Sequence, residues 1–166
     1  MKKIVIVSDT HIPLRAKKLP QVLVEACQNA DFIIHAGDWQ TMDVYFEFAA
    51  YAETDGVTGN TDPWDIADRF GSKKIMTFGD LKIGVVHGDG IRKTTEQRAF
   101  DAFKEDSVDI IVFGHSHIPM MREVDGVMMF NPGSPTDKRR QSQYSFGLLE
   151  IGDTWELKHI FFDKEN

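Results

Sequence analysis

The stretch Lys3-Ile4-Val5-Ile6-Val7-Ser8-Asp9-Thr10-His11 sets the reading of the fold. Lys3 to Val7 is short, apolar and rich in β-branched side chains, which predicts a strand buried on both faces. Ser8-Asp9 cuts the apolar run off, so it is too short for the core of a signal peptide and leaves polar side chains just beyond the strand end. Phe32 to His35 repeats the pattern and leads into Gly37-Asp38. Between the two, Leu19, Val22, Leu23 and Ala26 recur at the spacing of a helix with one buried face, over Leu19 to Gln28. A strand, a helix and a second buried strand point to a parallel pair.

The pattern continues outward from there. Thr41 to Tyr51 reads as a helix with Thr41 as N-cap, followed by a short strand over Asp55 to Thr58 and the pair Gly59-Asn60. Lys74 to Phe78 and Lys82 to His87 flank the turn formers Gly79-Asp80 and predict a hairpin. Thr94 to Lys104 predicts a helix facing the core through Ala99, Phe100 and Phe103, and Asp109 to Phe113 a further buried strand. From Met121 onward the pattern is β: two strands around Asp125-Gly126, then Tyr144 to Ile151 and Trp155 to Phe162 around Gly152-Asp153. The fold class expected is α/β, a four-layer αββα sandwich of two mixed β-sheets flanked by helices, in one domain spanning 1–166.

Composition excludes several classes. No apolar run is long enough for a membrane helix, and the lone Cys27, set among apolar residues at helical spacing, gives no sign of an oxidising compartment, so the cytoplasm is expected. A net charge of −7 disfavours long nucleic acids and anionic membranes, whose binding is driven by basic residues. A small phosphorylated substrate remains compatible, because bound metal ions can provide local positive charge in an acidic protein.

The informative polar residues all follow strand ends. Asp9 and His11 follow the first strand, Asp38 the second and Asn60 the third; His87 ends a hairpin strand, and Gly114-His115-Ser116-His117 follows another. Loops at the carboxyl ends of parallel strands lie on one edge, so these segments can converge. Singly, each is explained by turn chemistry or as a packed histidine. Together they supply oxygen and imidazole nitrogen without thiolate, a set suited to Mn and also to Fe, Zn, Ni or Co. Seven such groups exceed the needs of one tetrahedral ion and could supply two. Two ions about 3.5–4 Å apart can acidify a bridging water and stabilise attacking and leaving oxygens at phosphorus.

The set Asp9-Thr10-His11, Gly37-Asp38, Gly59-Asn60, His87-Gly88 and Gly114-His115-Ser116-His117, with Asn131-Pro132-Gly133-Ser134 beyond it, resembles the calcineurin-like metallophosphoesterases, and within them the small phosphodiesterases of bacteria and archaea. The resemblance implies that Asp9, His11 and His117 hold one ion and Asn60, His87 and His115 the other, with Asp38 as the bridge. It further implies that Asn60 touches the substrate phosphate and that a hydroxide between the ions is the nucleophile. Many members follow the Gly-Asn pair with a histidine that protonates the leaving group, whereas this chain has Thr61. A missing acid penalises alkoxides most, so activated aryl phosphodiesters are the expected substrates.

Other residues carry weaker expectations. His35 reads as packed or hydrogen-bonded to a ligand, Asp62 and Asp89 as turn carboxylates, Lys138-Arg139-Arg140 as a solvated loop, and His159 as structural and distant from every motif. Two rival functions stand beside the phosphodiesterase: a protein-binding scaffold, since relatives include a retromer subunit that has largely given up catalysis, and a nucleotide-specific phosphodiesterase. The sequence leaves open a homo-oligomer.

Overall fold

The computed structural model describes residues 1–165. Ten strands form two five-stranded sheets. In the first, β1 (Lys2–Val7) lies at the centre; β2 (Phe32–His35) and β3 (Glu53–Gly56) add in parallel on one side, and β9 (Tyr144–Ile151) and β10 (Trp155–Phe162) add antiparallel on the other. The second sheet has the same logic. Its parallel centre is β5 (Leu81–Val86), β6 (Ile110–Val112) and β8 (Val127–Asn131), edged by antiparallel β4 (Lys73–Phe78) and β7 (Met120–Val124).

Side-chain alternation along β1 separates two cores, as the period of two requires. Ile4 and Ile6 point between the sheets and meet Ile34, Ile83, Val85, Ile110, Val112 and Phe130. Val5 and Val7 point outward, under α1 (Gln21–Gln28), α2 (Met42–Tyr51) and α3 (Trp64–Phe70), which contribute Leu23 and Cys27, Val44 and Phe48, and Ile66 and Phe70. A third core lies outside the second sheet, where Ala99 of α4 (Thr95–Ala102) and the adjoining Phe103 cover Ile111 and Met129. Helices therefore flank both sheets, the αββα arrangement the sequence indicated. Burial raises the Cys27 thiol to about 12, which makes it an inert core group. Among the described residues no helix is long and apolar enough to cross a membrane.

The differences from the sequence reading have local causes. The third strand lies at Glu53–Gly56, two residues before the expected Asp55 to Thr58. Its residues Glu-Thr-Asp-Gly carry no apolar pattern, and pairing with β2 defines the strand, setting Glu53 beside Phe32 and Gly56 beside His35. Helix α3 had no sequence counterpart; it is a single short element whose Ile66 and Phe70 alone are buried. Thr41 stands at the N-cap of α2 but donates its hydroxyl to the Ile12 carbonyl at 3.4 Å and does not cap the helix. Thr94 does cap α4, in a reciprocal box with Gln97.

Candidate metal centre

The parallel strands of both sheets end at the same edge of the sandwich, and five of them, β1, β2, β3, β5 and β6, lead into candidate ligands there. The turn after β1 carries Asp9 and His11, that after β2 carries Asp38, and the loop after β3 carries Asn60; across the sandwich, β5 leads to His87 and β6 to His115 and His117. The loops interlock through the backbone. The Asp9 amide donates to the Gly37 carbonyl at 2.9 Å, the His11 amide to the Asp38 carbonyl at 3.1 Å, and the Gly114 amide to the His87 carbonyl at 3.0 Å.

Five residues form a buried cluster. The Nε2 atoms of His11, His87 and His117 lie 3.7, 3.7 and 3.5 Å from Asp9 Oδ1. Asp38 Oδ2 lies 3.4 Å from His11 Nε2 and 3.1 Å from His87 Nε2. Two sets of three donors are close enough to hold an ion: Asp9, His11 and His117, and Asp9, Asp38 and His87. Asp9 is thus common to both sets, while Asp38, the bridge implied by the resemblance, stands between His11 and His87. Asn60 and His115 lie outside this cluster and face each other, with Asn60 Oδ1 3.2 Å from His115 Nδ1 and the His115 ring 5.3 Å from that of His87.

The remaining hydrogen bonds turn the donor atoms inward. His87 Nδ1 donates to the Ala36 carbonyl at 2.8 Å and His117 Nδ1 to the Asp137 carbonyl at 2.5 Å, which frees each Nε2 lone pair for the centre. Asp9 Oδ2 accepts from the Ser8 hydroxyl at 2.8 Å and the His115 amide at 3.0 Å, leaving Oδ1 free. Asp38 Oδ1 accepts from the Thr61 amide at 3.0 Å, leaving Oδ2. As a result Asp9 Oδ1 and the Nε2 atoms of His11, His87 and His117 are fully buried with no hydrogen-bond partner. Buried polar atoms without partners are costly, and four aimed at one point fit a divalent cation.

Charge supports that fit. Burial alone would lower the pKa of His87, but Asp9 and Asp38 outweigh it and lift the imidazole to about 9, so the two carboxylates favour positive charge at this point. Burial works against ionised Asp9 and Asp38 too; the neighbouring histidines, and for Asp38 also Thr61, nevertheless hold both carboxyls below their ordinary range. For His117, burial prevails and the pKa falls, with Arg139 adding to the effect.

The backbone here adopts conformations that L-residues seldom take. Asp9, His11, Asp38, His115 and His117 have φ of 58°, 45°, 62°, 70° and 63°. Left-handed non-glycine residues cost on the order of 1 kcal/mol each and gather where the surroundings enforce a function. Two glycines permit the closest approaches. A Cβ on Gly59 would sit 2.1 Å from Asp38 Oδ1, and one on Gly114 1.9 Å from Ser8 Oγ and 2.6 Å from Asp9 Oδ2.

Several supporting residues had little or no sequence signal. Asp62, expected to be a turn carboxylate, joins two ligand loops: Oδ2 accepts from the amides of Asp38 and Gly59, both at 2.8 Å, and Oδ1 from that of Gln40 at 2.9 Å. His35 is buried beneath the site, its Nδ1 accepting from the Gly37 amide at 3.0 Å and its Nε2 lying 3.0 Å from the Thr10 hydroxyl, with Trp39 stacked on it at 3.9 Å. Burial lowers its pKa to about 3, so it is neutral. Ser134 donates to the Asp9 carbonyl at 2.8 Å and Thr136 to the Thr10 carbonyl at 2.6 Å. Asn131 donates to the Gly114 carbonyl at 3.0 Å, and its own carbonyl is bonded by His159 at 2.7 Å. His159 is therefore part of the support for the histidine loop and not remote from it. Asp89 is exposed.

Comparison with known proteins gives the family. Residues 1–154 match the family model described as the calcineurin-like phosphoesterase superfamily domain. A probable metallophosphoesterase of Methanocaldococcus jannaschii is 34% identical over 156 residues, covering 93% of this chain and 79% of the relative. A phosphodiesterase of the same archaeon is 31% identical over 148 residues, covering 79% of this chain and 82% of the relative. Among solved structures, Vps29 of Chaetomium thermophilum superposes with a TM-score of 0.81 over 99% of this chain and all of that one, at 18% identity, a likeness of fold. With its sequence match and its strand-end ligand loops in accord, the chain belongs to the calcineurin-like phosphoesterase superfamily.

Proposed function

We propose that this protein is a phosphodiesterase working with two divalent ions, manganese foremost, held by Asp9, His11, Asp38, Asn60, His87, His115 and His117. The observation that carries the reading is the convergence of one carboxylate oxygen and three imidazole nitrogens, buried and unpartnered, at the junction of the two sheets. Two ions bound there supply Lewis acidity toward phosphorus and a deprotonated water at neutral pH. The chain's own residues do the rest. Asp38 presents Oδ2 between His11 and His87, the arrangement a bridging ligand needs, while the Thr61 amide fixes its other oxygen. Asn60, at the outer margin beside His115, offers its amide to a phosphate oxygen.

Thr61 lies exposed next to Asn60, where a histidine would serve as the acid. A threonine hydroxyl cannot protonate a leaving alkoxide, so substrates with aryl leaving groups should turn over best. The resemblance to an archaeal phosphodiesterase favours diesters as the substrate class and is silent on the leaving group. All seven coordinating side chains being present favours catalysis over a purely scaffolding role. The test combines metal analysis with a substrate panel: about two equivalents of metal, with bis(4-nitrophenyl) phosphate hydrolysed far faster than an alkyl monoester, is expected. Equal or reversed preference in the presence of Mn would overturn the leaving-group argument, and full activity of Asp38→Ala the metal mechanism. Thr61→His should raise monoesterase activity.

A further inference from the structure

One side of the metal centre carries concentrated positive charge in a chain whose net charge is −7. His117 Nδ1 donates to the carbonyl of Asp137, and Lys138, Arg139 and Arg140 follow immediately. The loop after His11 approaches the same place, since Arg15 Nε lies 3.8 Å from Asp137 Oδ2. One cation thus pairs with the Asp137 carboxylate and three more follow it in sequence, on loops bonded directly to His11 and His117. Lys138 rests over the Tyr144 ring, 5.7 Å from its centroid. Arg139 and Arg140 are exposed, and neither forms an ion pair among the described residues. Arg139 also takes a left-handed φ of 51°, a conformation that turns the loop sharply between its neighbours. Being two residues from Asp137, its Cα is at most about 7 Å from that of the residue holding His117.

The opposite side of the centre is different. Asp62 and Asp65 follow Asn60 toward α3, Asp89 follows His87, and beyond it Arg98 is committed to the carbonyls of Gly88, Arg92 and Lys93, while Arg92 is exposed three residues from Asp89. Charge across the mouth is therefore uneven: Lys138, Arg139 and Arg140 are consecutive on the His117 side, whereas the exposed Arg92 on the other side shares its loop with Asp89. Guanidinium pairs with phosphate or carboxylate in a forked geometry that lysine cannot copy, and a cation without an acidic partner is available to an anion from solution.

Resting on the phosphodiesterase reading, we propose that the Arg15, Lys138, Arg139 and Arg140 side of the mouth is a second anion subsite, and that the substrate is a phosphodiester carrying a further phosphate or carboxylate beyond the ester that is cleaved. The scissile phosphate takes the centre, and the second anion is drawn to Arg139 and Arg140. This narrows the substrate class: simple neutral diester arms lack the group that these cations recognise.

The test compares two diesters with the same leaving group and the same scissile phosphate, thymidine 5′-(4-nitrophenyl phosphate) with and without a 3′-phosphate, on the Mn-loaded protein. The 3′-phosphorylated compound should have about tenfold higher kcat/KM, mostly through KM, and the advantage should shrink as salt rises from 50 to 500 mM. The ratio should fall toward one in the Arg139→Ala/Arg140→Ala protein and below one in Arg139→Glu, with metal content and thermal unfolding as checks on integrity. Equal turnover of both compounds by the unmodified protein, or a ratio unchanged in these variants, would overturn the subsite alone. Turnover of neither would overturn the phosphodiesterase reading and the subsite with it. A 3′-carboxymethyl analogue in the same comparison separates phosphate from general anion recognition: an equal gain would mean that charge alone is read, and no gain that phosphate is required.

Discussion

Acid should destabilise this fold through His35, and the size of the effect can be worked from its surroundings. The imidazole is fully buried, accepts from the Gly37 amide and faces the Thr10 hydroxyl, and its pKa falls from the ordinary 6.5 to about 3. A histidine depressed in the folded state binds its proton first in the unfolded chain. Its contribution to stability is therefore complete above pH 6.5 and is lost progressively as pH falls toward 3. At pH 5, one and a half units below the unfolded value, the loss is about 2 kcal/mol, at roughly 1.4 kcal/mol per unit. His87 works in the opposite sense: raised to about 9, it favours the metal-free fold below pH 6.5 and loses that contribution as pH rises through 9. Stability of the unmodified protein alone would mix the two, so the comparison is with His35→Asn, which retains an acceptor near Nδ1. Urea unfolding of both metal-free proteins at pH 7.5 and pH 5 is the measurement. The stability gap between them should narrow by about 2 kcal/mol at the lower pH, because only the unmodified protein has that proton to exclude. A gap equal at the two pH values would refute the assignment of His35 as a neutral support beneath the Gly37-Asp38 turn.

Gly59→Ala should reduce metal affinity by about 100-fold or more in calorimetric titration, since the new methyl would meet Asp38 Oδ1 at 2.1 Å while the strands on either side stay paired. Asp62→Ala removes the acceptor of three backbone amides; a 10–100-fold loss of metal affinity with an unchanged far-ultraviolet circular dichroism spectrum is expected, and undiminished affinity would contradict its role as the link between the Asp38 and Asn60 loops. Stripping metal with a chelator should lower the melting temperature and re-addition restore it, because free ion at about 100 times its dissociation constant stabilises by about 2.7 kcal/mol.

What was legible in the sequence was what repeats along it. The short β-branched apolar run Ile4 to Val7, the turn pairs Gly79-Asp80 and Gly152-Asp153, and the apolar periodicity of Leu19 to Gln28 each report a local rule, and the matching elements lie within two residues of their expected positions. The β3 segment is displaced by two residues at both ends because its strand identity comes from pairing with β2 and not from its own side chains. The ligand candidates were readable for a related reason: each follows a strand end, and strand ends are legible. Their support was not. Asp62 bonds to residues 22 and 24 positions away, and Ser134 to one 125 positions away, so the partners of these side chains exist only once the sheets have closed.

That division follows from how the centre is assembled. A single parallel sheet would gather Asp9, Asp38 and Asn60 at one edge, yet would leave Asp9 Oδ1 facing solvent. The second sheet, with β5, β6 and β8 running to the same end, brings His87 and His117 against that oxygen from across the sandwich. Neither half alone holds enough donors for a pair of ions, and the apolar layer of Ile6, Ile34, Val85 and Val112 between them sets how closely the halves approach. On the proposed reading, metal binding is a property of the interface between the sheets. Large-to-small changes in that layer, far from any ligand, should weaken it by letting the two sets of donors drift apart, and the left-handed turns at Asp9, Asp38 and His117 are the points where such a shift would first be felt.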